Sequence, residues 1–124
     1  MTNGQALLGE FLQGKIDGKH FHHPQHVRVG FELLREHGFC DALAAMSGAL
    51  RGMAARAGNL GAYHETVTVA FLSLIAERCA GGKYSDFESF ERDHPELMDR
   101  SILARWYPSE RLHSAIARRT FVLP

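Results

Sequence analysis

Apolar positions along this chain recur at steps of three and four, the spacing of one face of an α-helix. No stretch alternates at period two, as a half-buried strand would. A first helix is expected over about residues 3–13, with Leu7, Leu8, Phe11 and Leu12 as its stripe and Thr2 and Gln5 at capping-box spacing. Gly14 and Gly18 then break the pattern. A second helix is expected from Pro24, suited to a first helical position, to just before Gly38, with Val27, Phe31 and Leu34 inward. A third is expected over about residues 41–57. Its inward positions are Leu43, Met46, Leu50, Met53 and Ala57, and Gly48 and Gly52 would let a neighbouring backbone approach closely. Gly58 to Gly61 reads as a turn. The fourth helix, over about residues 62–80, is apolar nearly all round after its first turn, which predicts a central place in a bundle. Ser85 and Glu88 suggest a capping box opening a short helix with Phe87 and Phe90 inward, and Pro95 suggests one more start. Further on, Ile102, Leu103, Trp106, Tyr107, Leu112, Ile116, Phe121 and Val122 are expected to anchor the tail on the core. The pattern predicts a single all-α domain over residues 1–124, a compact bundle of about five to seven helices.

Composition agrees with helix, since alanine and leucine far outnumber valine and isoleucine. Fourteen basic and 14 acidic residues give a formal net charge of zero. That balance argues against a nucleic-acid partner bound by phosphate neutralisation and against polybasic membrane attachment. Arg118 and Arg119 are too small a basic step to change this and read as a solvated face. The N-terminal stretch lacks the basic-then-apolar order of a signal peptide, and the longest charge-free apolar run, residues 66–76, is too short to span a bilayer. A cytoplasmic protein with neither a nucleic-acid nor a membrane partner is therefore expected. Cys40 and Cys79 lie far apart with no C-x-x-C spacing, and they read as two buried free thiols of a reducing compartment.

Histidine changes the picture, with eight in the chain. His22, His23 and His26 cluster at the start of the second helix, and Tyr63, His64 and Glu65 open the fourth. At about 100° per residue, His26 falls in the apolar sector beside Gly30, while Arg28, Glu32 and Arg35 point to the opposite, wet side. By the same count His64 and Glu65 point inward with Phe71, Leu72 and Ile75, and Thr66, Ser73 and Glu77 take the wet side. Buried polar groups require partners. Three solutions are open. His23 or His26 could pair with Glu65 in a structural hydrogen-bond network, which would leave the chain a protein-interaction module. His23, His26, His64 and Glu65 could instead ligate a divalent metal from two helices. Or these residues, with Tyr63, Tyr107 or Trp106 as apolar wall, could line a small-molecule pocket. An enzyme using Glu65 as base and His26 or His64 as acid is the remaining class, although no nucleophile elbow, phosphate loop or H-E-x-x-H is present. His20 and His22 read as solvent-exposed loop residues, His37 as a helix C-terminal cation, His94 as a turn residue and His113 as exposed.

The strings Phe-His-His-x-x-His-Val-Arg, from Phe21, and Tyr-His-Glu-Thr-Val-Thr, from Tyr63, resemble those of a family of small bacterial proteins of unknown function. The pieces His94-Pro95-Glu96-Leu97 and Ala117-Arg118-Arg119-Thr120-Phe121-Val122 are similar too, so the likeness runs from about Phe11 to the C-terminus. It implies a bacterial, soluble, all-helical domain and groups His23, His26, His64 and Glu65, with no catalytic role attached to them.

Overall fold

A computed structural model describes residues 2–124. Among them are seven α-helices and no strand: α1 (Asn3–Leu12), α2 (His23–Glu36), α3 (Phe39–Arg56), α4 (Glu65–Ala80), α5 (Phe87–Asp93), α6 (Ser109–Leu112) and α7 (Ala115–Arg119). Four 3-10 turns join them, at Gly18–His20, Leu60–Ala62, Pro95–Met98 and Ile102–Arg105. None of the helices described is long and apolar enough to cross a membrane.

The helix boundaries follow local chemistry. Thr2 and Gln5 form the expected capping box, each side chain accepting from the other's backbone N–H, at 3.1 and 2.9 Å. Gly14 and Gly58, with φ of 73° and 70°, turn the chain out of α1 and α3 through the left-handed region that favours glycine. Before α5 the cap is Asp86, accepting from Ser89 N–H at 2.8 Å, not Ser85. The register moves by one because a carboxylate is the better acceptor at a helix N-terminus.

Two apolar clusters make the core. One gathers Val27, Phe31, Phe71, Ile75, Phe90 and Leu97, the other Leu8, Phe11, Val29, Leu33, Met46 and Leu72. Both α2 and α4 contribute to both clusters, so α2 shares the central place expected of α4 alone. This explains a correction on α2. Glu32, expected in solvent, is 3% exposed, because α1 lies across that side. A methyl on Gly4 of α1 would stand 2.8 Å from its carboxylate and 2.6 Å from Arg28 Nε. Gly30 is a true close approach: a methyl there would stand 2.9 Å from Ile75 Cδ1 on α4. Gly48 is not, with nothing within 4 Å of the position a Cβ would take, and Gly52 meets only the Arg56 guanidinium.

The tail is anchored in part. Ile102, Leu103, Tyr107 and Val122 are buried, whereas Trp106, Ile116 and Phe121 are exposed. Its attachment overturns the expectation for Thr66, which is fully buried rather than wet. The Thr66 hydroxyl donates to Thr120 O at 2.8 Å and accepts from Val122 N–H at 3.1 Å. Tyr107 clamps the same segment by donating to Val122 O at 2.7 Å. Cys40 is exposed and Cys79 half-buried, and both are free thiols. Burial pushes the Cys79 thiol up to about 11, which keeps it protonated and unreactive near neutral pH.

Candidate functional site

The entry to α2, the inner face of α3, the first turns of α4 and the segment 100–113 bound a cavity of about 900 Å³ that is open to solvent on one side. His23, His26, Tyr63, His64 and Tyr107 all line it. Glu65 and Trp106 do not. Each lining side chain is held by its own local chemistry.

His23 occupies the first position of α2, whose start is tied by Gln25, which accepts from His22 N–H at 2.9 Å. Its Nε2–H donates to Leu97 O at 2.8 Å, so a carbonyl sets the tautomer. The ring meets Phe71 edge-on at 4.8 Å, joining α2 to α4. One turn on, His26 lies against Phe21, ring centroids 4.4 Å apart. That ring faces the cavity and makes no hydrogen bond to any of the described residues. Burial first, then the nearby His23 and the Arg100 charge, push its pKa down to about 4. At neutral pH His26 is an uncharged imidazole with donor and acceptor both available.

His64 has a different job. It is the N-cap of α4, one residue before the helix, whose expected start at Ala62 is a 3-10 turn instead. Its Nδ1 accepts from Val67 N–H at 3.2 Å and its Nε2–H donates to Leu112 O at 2.7 Å. Both nitrogens are committed, and only the neutral ring can do both. Burial also holds its pKa below the ordinary imidazole value.

Glu65 turns to the α3 side. Tyr63 donates its hydroxyl to the Glu65 carboxylate at 2.5 Å, with the Ser47 hydroxyl 3.0 Å from the same phenol oxygen. Arg51 reaches the carboxylate at 3.4 Å and lies over the Tyr63 ring, 4.9 Å from its centroid. The expected pairing of Glu65 with His23 or His26 is therefore replaced by one with tyrosine and arginine. A helix N-terminus and a phenol donor already satisfy the charge.

The candidate divalent-metal set consequently does not assemble as four ligands. His64 has no free nitrogen and Glu65 lies outside the cavity. Among the described residues no group of three or more His, Cys, Asp or Glu side chains stands close enough to hold a metal ion. The acid–base pairing of Glu65 with an imidazole is likewise not formed.

Sequence reasoning missed the third wall. Arg100 and Ser101 line the cavity from a turn with no helical period to reveal it. The one available signal was the Asp-x-Ser spacing: the Asp99 carboxylate accepts from Ser101 N–H at 2.9 Å and Ser101 Oγ–H at 2.7 Å. The floor from Met46, Leu50 and Met53 was read as core stripe, and from sequence alone a cavity wall and a packed face look the same.

Comparison of the chain with protein-family models, with curated proteins and with solved structures gives no match.

Proposed function

We propose that this chain is a small-molecule-binding helical domain whose ligand occupies the cavity bounded by α2, α3 and α4. The observation that carries this reading is the combination of room and unspent chemistry. A space of about 900 Å³, within the usual range for ligand sites, has mostly apolar walls, and the His26 imidazole set into them makes no hydrogen bond to the described residues. A group with unused hydrogen-bonding capacity at an apolar wall fixes the orientation of a guest more cheaply than it stabilises a fold.

The test uses an uncharged environment-sensitive apolar dye, Nile red, on folded protein. One-to-one binding is expected in the wild type, and its loss in a Leu50→Trp protein that keeps its helical circular dichroism and cooperative melt. Leu50 is half-buried on the cavity floor, so an indole there fills the space. Dye binding of the same strength and stoichiometry in both proteins would overturn the proposal.

One observation favours a second reading, a protein-interaction module. Trp106, Ile116, Phe121 and Leu123 are all exposed on the C-terminal segment. Large apolar side chains left in water often mark contact surfaces. Self-association lost on replacing Trp106 and Ile116 by serine, measured by sedimentation, would support it.

A further inference from the structure

Resting on the cavity reading above, we infer that the ligand is an apolar-bodied carboxylate, with its anionic head at the mouth by His26 and Arg100 and its body over Met46, Leu50 and Phe71. The argument is one of charge and of what is left unpaired. Among the described residues, no aspartate, glutamate or lysine lines the cavity. Its single permanent charge is the Arg100 guanidinium, which among the described residues lies in no ion pair and donates to no carboxylate. The nearest acid in sequence, Asp99, is occupied by Ser101 N–H and Oγ–H. An arginine fork without a carboxylate, at the rim of an apolar space, matches a planar anion in shape as well as charge.

The titratable groups around the site carry the argument to a pH signature. Imidazoles from α2 (His22, His23, His26), from the cap of α4 (His64) and from the segment after α6 (His113) face the cavity, together with the phenols of Tyr63 and Tyr107 and the Arg100 guanidinium. From α3 no titratable side chain does. The empty site thus holds one permanent positive charge and no counter-charge, and His26 is kept neutral there by burial first, with His23 and Arg100 adding to it. An arriving carboxylate supplies the missing negative charge. It raises the proton affinity of His26, so binding takes up a proton and tightens as pH falls from the ordinary imidazole value of 6.5 towards about 4. His64 does not share this response, because its ring nitrogens are bonded to Val67 N–H and Leu112 O.

The experiment is calorimetric titration with matched series on one skeleton: n-alkanoates from hexanoate to dodecanoate, phenylalkanoates, and the amides and amines of each. The expected result is that acids bind, and amides and amines bind at least roughly tenfold more weakly. Acid binding strengthens from pH 7 to pH 5.5, and at the lower pH its heat differs between MES and Bis-Tris buffers because a proton is taken up. Arg100→Gln, a change at an exposed position, lowers acid affinity by roughly tenfold and amide affinity by much less, so the preference for acid over amide falls. His26→Gln abolishes the buffer dependence. Equal binding of acids and amides, or a preference for amines, would overturn the carboxylate assignment while leaving the cavity reading intact. Binding of no member of any series, together with no dye binding, would overturn both.

Discussion

A neutral imidazole at position 26 stabilises this fold only while it stays neutral. Burial against Phe21, with His23 and Arg100 near by, lowers its pKa from 6.5 to about 4. The unfolded chain therefore binds the proton more readily than the folded one between those values. The stabilisation is complete above pH 6.5 and is lost as pH falls towards 4. His64 has the same sign, since its cap and its bond to Leu112 both need the uncharged ring. Between pH 7 and pH 5 the wild type is expected to lose more stability than His26→Gln, by about 1–2 kcal/mol after allowing for partial solvent contact. Urea denaturation at the two pH values measures it, and identical losses in the two proteins would show that His26 does not contribute. Arg51, Tyr63 and Glu65 belong to another class. They satisfy one another at a half-exposed helix start, where such pairs contribute little to stability.

At the scale of the element, glycines in two helices show how one residue type serves opposite ends. Gly30 of α2 lets α4 close to within a side-chain tip, whereas Gly48 of α3 faces open space. Gly48→Ala is expected to raise stability by about 0.5–1 kcal/mol, the ordinary helix-interior gain. Gly30→Ala should fall short of that gain by about 1 kcal/mol or more, because its methyl must displace the buried Ile75. Thermal melts of the two single variants decide it, and equal gains would mean α2 and α4 are not in close contact at Gly30. The sequence pattern read close approaches at Gly48 and Gly52 of α3 and named none at Gly30, where the structure has one. It carried the stripe of each helix but not which neighbour each stripe would meet.

At the scale of the whole molecule, the tail completes a face of α4 that local periodicity assigned to water. Thr66 is the pivot, donating to Thr120 O and accepting from Val122 N–H in a fully buried position. Thr66→Val keeps the shape but leaves both backbone groups unpaired, which should cost about 1–3 kcal/mol. Loss of hydrogen-exchange protection at the Val122 amide would locate the damage, and protection unchanged from wild type would show that the tail is held by packing alone.

The helical class, the capping box at Thr2 and Gln5, the inward aim of His26 and most of the stripes of α1, α2 and α3 were legible in the sequence, although Leu12 and Ala57, expected inward, are exposed at their helix ends. Each depends on residues within a turn or two of one another, so spacing and propensity suffice. Tertiary structure decided the rest: that α1 buries Glu32, that the tail buries Thr66, that Glu65 turns to Tyr63 and that Arg100 closes the cavity beside His26. Those outcomes depend on which surface arrives from a distant part of the chain. Helical periodicity says which side of a helix is apolar, but not whether a polar side chain will meet water, a backbone carbonyl or an empty space.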